Sequence, residues 1–269
     1  MGRRDVTGDD YRVRSLRSGS VTAVDARSRR SFARHAHDEF GVGLVTNGAQ
    51  RSWSGRGLVE AGRGDIITVN PGELHDGAPI GGRRVWSMLY LSPALVDGIV
   101  ADLSEGRLTS RELQAPVVCD AEAARLFAVA RSAALDDGSG ERFEERLTLL
   151  LARLFGAPRS ARVPHDRLVQ LRARIDDDPA SAHTLTELAA QAGLSRFQTI
   201  RGFSKLTGLT PHAYVMQRRL DSARRLIRSG ATLVQAALDA GFTDQSHMHR
   251  IFTARHGFTP GVYAAAFRR

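Results

Sequence analysis

The sequence predicts an α+β protein, with an antiparallel β-barrel and associated helices in the N-terminal part and an all-α C-terminal domain. Three observations support this fold class: short apolar runs between residues 21 and 90, helical apolar stripes after Pro93, and a repeated helical unit near the C-terminus. The length of 269 residues suggests two domains, each able to bury its own core. We therefore divide the chain into a domain over 1–155, a linker over 156–165 and a domain over 166–269.

The β-structure of the N-terminal domain is predicted from the spacing of its apolar runs. Residues 42–45, 66–69 and 85–91 are such runs, and Gly, Pro and Asn residues separate them. This pattern is typical of a small antiparallel barrel or sandwich. The dipeptide Asn47-Gly48 favours a hairpin because both residues tolerate positive φ. We therefore expect the strands that flank it to pair.

Two amphipathic helices are predicted after the strands, over residues 121–136 and 141–155. The second has an apolar stripe at helical spacing, formed by Phe143, Leu147, Leu150, Leu151 and Leu154. Such helices can cover the sheet or pair with a second subunit. Covering the sheet is the default, and a homodimer is one expected partner.

Charge is distributed unevenly along the chain. Residues 166–269 contain 15 basic and eight acidic residues and carry +7 of the formal charge of +9, whereas residues 1–155 are balanced. A neutral module joined to a basic one indicates a regulatory domain tethered to a domain that binds a polyanion. Nucleic acid, such as double-stranded DNA, is the favoured polyanion. An alternative is that Arg-rich composition merely decorates the surface.

Other function classes are disfavoured by what the sequence lacks. It has no apolar leader and no run of about 18 apolar residues, so we expect a soluble, cytoplasmic protein without a membrane partner. Cys119 is the single cysteine, which excludes an internal disulfide and a Cys-x-x-Cys motif. Redox chemistry is therefore not expected.

The most informative feature is an internal repeat in the C-terminal domain. The segment Leu185–Ser195 recurs 48 residues later as Leu233–Thr243. Each copy predicts a short apolar helix, a glycine at the helix end, and a second helix capped by Ser195 or Thr243. The sequence therefore predicts two helix-turn-helix units.

A second pair of matched segments follows each unit. Gly208–Tyr214 and Gly257–Tyr263 are 49 residues apart, and in each a Thr-Pro pair begins a helix. The step from 48 to 49 predicts one extra residue inside the second helix of the second unit. A helix from about Pro211 to Ser229, roughly 28 Å long, would hold the two units near the roughly 34 Å that separates successive major grooves on one face of DNA.

These motifs resemble the double helix-turn-helix domain of the AraC/XylS family of bacterial transcription regulators. The resemblance covers residues 184–269 and rests on Leu185–Ser195, Gly208–Tyr214, Arg218–Leu226, Ala240–Ser246, Phe252 and Gly257–Tyr263. It implies a sequence-specific DNA-binding regulator, not an enzyme, and RNA polymerase is a further expected partner. Thr199 and Gly202 depart from the pattern, because the family commonly has larger apolar residues there.

Base-reading residues are predicted from the faces of the second helix of each unit. Met248, Ile251 and Phe252 share one face and are expected in the core. The predicted DNA-binding residues lie on the other face and at the positions 49 residues earlier: Arg196, Phe197, Gln198, Ile200, Arg201, Gln245, Ser246, His247, His249 and Arg250. Phe197 and Ile200 could instead be buried.

Several further arginines of this domain are interpreted as phosphate contacts or as solvated helix faces. They are Arg218, Arg219, Arg224, Arg225, Arg228 and Arg255.

Three histidines form the sharpest chemical pattern of the N-terminal domain. His35-Ala36-His37 and the segment Gly64–His75 resemble the two conserved motifs of cupin barrels. We predict that His35, His37, Glu73 and His75 bind a small-molecule effector, with no cofactor and no metal, and that Trp53, Trp86 and Tyr90 are core.

Three alternatives remain open for the histidines and their domain. In metal-dependent cupin enzymes a glutamate follows the His-x-His pair by four or five residues, which here falls on Gly41 or Val42, and Glu39 is displaced. Three imidazoles can still bind a metal, so a cupin enzyme with a DNA-binding tail is one alternative. The others are a structural hydrogen-bonded cluster and a domain that only dimerises.

Overall fold

The computed structural model describes residues 9–104, 112–136, 140–156 and 164–267. The chain separates into two compact units, residues 1–159 and 160–269, called here the N-terminal and C-terminal units. Of the predicted linker, residues 157–163 lie outside the described residues, and His165 is already the first residue of a helix.

The N-terminal unit is built on an antiparallel sheet. Its described strands are β1 (Asp10–Leu16), β2 (Val21–Ser28), β3 (Phe32–His35), β4 (Phe40–Ser54), β5 (Gly57–Ala61), β6 (Ile66–Val69), β7 (His75–Leu91) and β8 (Val117–Val118). The order is β1-β2-β7-β4-β6-β8, with β3 paired to β7 and β5 paired to β4. The predicted α+β class with an antiparallel N-terminal sheet is confirmed.

The predicted hairpin at Asn47-Gly48 is wrong. Strand β4 continues through this dipeptide, and its register against β7 shifts on both sides of Asn47, which pairs with Val85. Gly48 has a φ of +71°, and a Cβ there would lie 2.6 Å from the carbonyl oxygen of Arg83. The positive φ that glycine allows therefore serves an irregularity within a long strand, which bends it, and not a chain reversal.

Three described helices complete the N-terminal unit: α1 (Pro93–Ser104), α2 (Ala121–Ala134) and α3 (Gly140–Leu154). Helices α2 and α3 match the two predicted amphipathic helices, whereas α1 was not predicted. Asp120 caps α2 by accepting hydrogen bonds from the backbone N–H groups of Glu122 and Ala123. Helix α3 packs against α1 and α2, and α2 also contacts β4. These helices therefore bury their apolar faces against each other and the sheet.

The described part of the C-terminal unit is helical throughout. Its helices are α4 (His165–Asp177), α5 (Leu185–Ala192), α6 (Arg196–Thr207), α7 (Pro211–Arg228), α8 (Leu233–Asp239), α9 (Gln245–His256) and α10 (Pro260–Ala265). Leu168, Leu171 and Ile175 of α4 join the core with Phe203, Leu220, Met248 and Phe252. None of the described helices has the length and apolar character that crossing a membrane requires.

The two predicted helix-turn-helix units are α5–α6 and α8–α9, with one difference from the prediction. Helix α6 begins after its N-cap Ser195, but the N-cap of α9 is Asp244 and not Thr243. Both second helices have 12 residues, so the extra residue lies in the second turn and not inside the helix. Helix α7 connects the units as 18 continuous residues, which corresponds to about 27 Å.

Candidate DNA-binding helices and ligand cavity

The second helices of the two units, α6 and α9, present polar side chains at the surface of the C-terminal unit. On α6, Arg201 and Lys205 are exposed and Arg196 is half-buried. On α9, the predicted residues Gln245, Ser246 and Arg250 are exposed, and His247 and His249 are half-buried. Lys205 was not among the predicted DNA-binding residues, although it lies one helical turn after Arg201.

Phe197 and Ile200 do not face solvent, so the prediction that they read bases is wrong. Their exposed fractions are 7% and 1%. Helix α6 packs against α4, α5 and α7, and α4 is the helix that the sequence analysis missed. The equivalent positions on α9, Ser246 and His249, remain accessible. The two units therefore present different faces despite their shared pattern.

Two predicted flanking residues also make local contacts. The Gln198 side-chain oxygen accepts a hydrogen bond from the Ser195 backbone N–H, and the Ser195 hydroxyl accepts one from the Gln198 N–H. This capping box begins α6. The His247 ring lies edge-on to Phe242, at 5.5 Å between ring centroids. Gln198 and His247 thus help to fix the first turns of α6 and α9, which carry predicted base-reading residues.

The remaining arginines divide into structural and exposed groups. The Arg218 Nε lies 2.8 Å from a carboxylate oxygen of Asp176. Arg219 donates hydrogen bonds to backbone carbonyls of residues 179–181. The Arg224 guanidinium lies over the Tyr263 ring. Those that remain exposed, and therefore available to phosphates, are Arg225, Arg228 and Arg255.

The sheet of the N-terminal unit surrounds a cavity of about 260 Å³. This lies just below the roughly 300–1,000 Å³ typical of ligand sites, so the cavity suits a small molecule. Aromatic and apolar side chains dominate its wall: Tyr11, Val24, Phe32, Trp53, Ile67, Trp86, Met88 and Tyr90. Trp53, Trp86 and Tyr90 were predicted as core residues, and all three line the cavity.

The predicted histidine cluster forms one side of this cavity. His35 of β3 pairs in register with His75 of β7, and their ring centroids are 4.3 Å apart. Both histidines and Glu73 line the cavity. His37 follows the end of β3, and its ring lies 5.0 Å from the rings of His75 and Tyr90. His37 therefore supports the cavity-lining His75 from its neighbouring position.

Backbone carbonyls fix all three histidine rings. Each Nδ1 lies 2.8–2.9 Å from a carbonyl oxygen, that of Ala33 for His35, Glu39 for His37 and Glu73 for His75. Within the described ranges, no group of three or more His, Cys, Asp or Glu side chains is arranged to hold a metal ion. His35 and His75 thus provide polar groups on the cavity wall, with their Nδ1 atoms in contact with backbone carbonyls.

The histidines predict a dependence of stability on pH. Burial lowers the pKa of His37 and of His75, and the neighbouring histidines lower both further. The unfolded chain therefore binds protons at these positions at a higher pH than the folded chain. The free energy of unfolding should therefore begin to fall as the pH drops through about 6.5. It should stop falling below the folded-state pKa values, where both states are protonated.

Urea unfolding across this pH range would measure the effect. Replacing both residues with glutamine, His37→Gln and His75→Gln, should flatten the dependence, because the variant has no imidazole to protonate there. A variant that keeps the wild-type slope would contradict the assignment.

The acidic residues of the wall are held by other groups. The Glu73 carboxylate accepts hydrogen bonds from the backbone N–H and the side-chain amide of Asn70. The Asp76 carboxylate accepts the Trp53 backbone N–H and lies 3.5 Å from the Arg34 Nε. Glu73 therefore braces the loop between β6 and β7, and Asp76 links β7 to β4.

Arg84 is a cavity residue that the sequence analysis missed. Its side chain is 1% exposed. Nη2 donates to the carbonyls of Arg30 and Gly77, at 3.4 and 3.3 Å. Nε and Nη1 have no hydrogen-bond partner among the described residues. The guanidinium carbon lies 4.6 Å from the Trp86 ring centroid and 5.4 Å from that of Phe32.

The signal for Arg84 was the two-residue period of β7. Arg84, Trp86, Met88 and Tyr90 alternate along this strand, and all four line the cavity. Because successive side chains on a strand point to opposite faces, an arginine two positions before a buried tryptophan shares its face. The same alternation identified His35 and His37 as candidates.

Comparison with known proteins agrees with both units. The AraC-like ligand binding domain family matches residues 18–155, and a helix-turn-helix domain family matches residues 188–266. The uncharacterized HTH-type transcriptional regulator YbfI of Bacillus subtilis is 25% identical over 81% of each chain. The HTH-type transcriptional activator RhaS of Klebsiella pneumoniae is 36% identical, over 35% of this chain and 34% of its own.

One solved structure aligns with nearly the whole chain at a low TM-score. ToxT K231A from Vibrio cholerae is 11% identical, with a TM-score of 0.36 over 99% of this chain and 100% of its own. The assignment rests on the two family matches, which cover the sheet that surrounds the cavity and the paired helix-turn-helix units. The chain belongs to the AraC family of transcriptional regulators and combines a ligand-binding domain with a helix-turn-helix DNA-binding domain.

Proposed function

We propose that a small molecule bound in the N-terminal cavity changes how the two helix-turn-helix units bind DNA. The observation that carries this proposal is the 260 Å³ cavity, whose lining residues, apart from Tyr11, lie within the range matched by the ligand-binding family. Its wall combines aromatic side chains with a few polar groups, as ligand sites do. Coupling requires that the effector bind one arrangement of the protein more tightly, because equal binding to both shifts nothing.

The proposed effector contacts include the predicted histidines. His35, Glu73 and His75 lie on the wall, and His37 holds the ring of His75 from outside it. His75 has a pKa below its usual value because of its burial, so its ring is neutral near pH 7 and can accept or donate a hydrogen bond.

The proposed base contacts come from the accessible faces of α6 and α9. Arginine can bind guanine with two hydrogen bonds, and glutamine can bind adenine in the same way. The residues assigned to this role are Arg196 and Arg201 on α6 and Gln245, Ser246, His249 and Arg250 on α9, with Gln198 and His247 flanking them. The exposed Arg225, Arg228 and Arg255 are assigned to phosphates.

A salt titration of DNA binding tests the phosphate contribution. Each phosphate neutralised should contribute about −0.9 to the slope of log K against log salt concentration. A protein with six or more such contacts loses at least about 10³-fold in affinity between about 50 and 200 mM salt. A gel-shift series with the full chain and duplexes selected from a random pool would measure this slope. Salt-independent binding, or no duplex bound at any salt concentration, would contradict the proposal.

Homodimerisation and a contact with RNA polymerase remain predictions. We propose that two copies bind DNA together, with α2 and α3 of the N-terminal unit as the segment to test first. Light scattering of the purified chain with and without selected duplex would give the number of copies. Transcription with purified polymerase would show whether the bound protein raises or lowers initiation.

A further inference from the structure

We propose that the effector is a small organic carboxylate with an apolar, aromatic body, and that Arg84 binds its carboxylate. This inference rests on the proposed function, because it concerns the same cavity. It assigns to Arg84 a role that neither the sequence motifs nor the family match gave it.

The first step is the unbalanced charge of Arg84. The guanidinium is almost fully buried, and it forms no ion pair with any described residue. A buried charge without a partner is costly, and the contacts with the Trp86 and Phe32 rings offset only part of that cost. The N–H groups of Nε and Nη1 are charged donors without a partner among the described residues, and a ligand carboxylate can accept charge-assisted hydrogen bonds from such donors.

The second step is that the cavity's own carboxylates do not neutralise Arg84. Asp76 is paired with Arg34 and also accepts the Trp53 backbone N–H. Glu73 is held by Asn70. The positive charge of Arg84 is therefore left for a ligand.

Tyr11 provides a second donor on the same wall. Its hydroxyl is buried, has no hydrogen-bond partner among the described residues, and belongs to a side chain that lines the cavity with Arg84. Two unpartnered donors in one enclosed space favour a ligand that only accepts hydrogen bonds at that end. An ionised carboxylate has this property, whereas a primary amide or an alcohol brings donors of its own.

The rest of the wall defines the body of the ligand. Phe32, Trp86 and Tyr90 provide aromatic surface, and Val24 and Ile67 provide aliphatic surface. An inorganic anion would leave this surface uncovered. A volume of about 260 Å³ has room for one ring and a short chain.

Matched acids and amides test the inference. Phenylacetate and hexanoate would be compared with phenylacetamide and hexanamide, by calorimetry and thermal unfolding of the full chain, with acetate and inorganic phosphate as controls. We expect phenylacetate to raise the unfolding temperature most and its amide to have little effect. Arg84→Met should weaken phenylacetate binding by about 10- to 100-fold, the value of hydrogen bonds to a charged group.

Three variants separate binding from folding. Arg84→Met replaces an unpaired charge with an apolar side chain, so without ligand its unfolding temperature should equal or exceed that of the wild type. Tyr11→Phe removes only a hydroxyl and should also weaken acid binding, which keeps the test informative if Arg84→Met unfolds. Arg51→Met is the matched control, because Arg51 of the same sheet is exposed and paired with Glu60.

Each outcome decides between the alternatives. Amides that stabilise as well as acids, no stabilisation by either acid, or full acid binding in both Arg84→Met and Tyr11→Phe would overturn the inference. An acid that binds through Arg84 without changing DNA affinity would overturn the proposed coupling and leave the inference standing. A neutral molecule that binds the cavity and changes DNA affinity would overturn the inference and leave the proposed coupling standing.

Discussion

Replacing Gly241 with alanine should destabilise the C-terminal unit by about 2–5 kcal/mol. Gly241 lies in the turn between α8 and α9 with a φ of +84°. A Cβ at this position would lie 2.6 Å from both the Cα and the carbonyl oxygen of Ala180, which are backbone atoms and cannot rotate away. The cost combines a left-handed conformation at a residue with a side chain and an overlap with backbone.

The turn of the first unit provides the control. Gly193 has a φ of +60°, but a Cβ there would approach only the Arg167 Nη1, at 3.1 Å, which is the end of a flexible side chain. Gly193→Ala should therefore cost only the left-handed conformation, about 1–2 kcal/mol. Urea unfolding of the two variants would measure the difference, and equal losses would contradict the contact between the second turn and Ala180.

This contact links the second helix-turn-helix to the segment between α4 and α5. Arg219 of α7 donates hydrogen bonds to the carbonyls of residues 179–181 in that same segment. Two elements far apart in sequence thus converge on one short loop. For this reason the Gly241→Ala substitution should also destabilise α4, although α4 precedes both helix-turn-helix units in the sequence.

The helix-turn-helix units were predictable because local residues determine their ends. Ser195 caps α6, Thr210 caps α7, and Gly193 takes the left-handed conformation after α5. The burial of Phe197 and Ile200 was not predictable from the repeat, because the equivalent residues of α9, Ser246 and His249, remain accessible. Helix α4, which packs against α6, carries its signal in Leu168, Leu171 and Ile175, at positions i, i+3 and i+7, but no helix was predicted there.

The cavity was predictable only in part, for a similar reason. Alternation along a strand identified His35 and His37, and it applied equally to Arg84, whereas His75 was identified from the cupin-like segment. Charge on a strand usually indicates a solvated face, so only the pairing of β7 with its neighbours shows that Arg84 lies inside. Asn47-Gly48 was ambiguous because positive φ serves hairpins and strand irregularities alike, and the partner strand decides between them.

Arg250→Ala is expected to relax base preference at one position of the operator. Arg250 is exposed on α9, and loss of a bidentate contact to guanine costs about 1–3 kcal/mol, or roughly 10- to 100-fold, for the preferred base. The exposed Arg225 of α7 is the matched control, because it is proposed to contact a phosphate, so that Arg225→Ala should weaken all sequences alike. Binding of each variant to duplexes that differ at single positions would measure both effects.

The same measurement on α6 separates base reading from packing, because the faces of α6 and α9 differ. Arg201→Ala should behave as Arg250→Ala does, at another position of the operator. Phe197→Ala should destabilise the C-terminal unit by about 3–5 kcal/mol, because the Phe197 ring is buried. The Arg201 guanidinium carbon lies 5.3 Å from the centroid of this ring. Base preference should be unchanged in the protein that remains folded. A stable Phe197→Ala protein with altered base preference would show that Phe197 contacts DNA. It would contradict the conclusion that the two units present different faces.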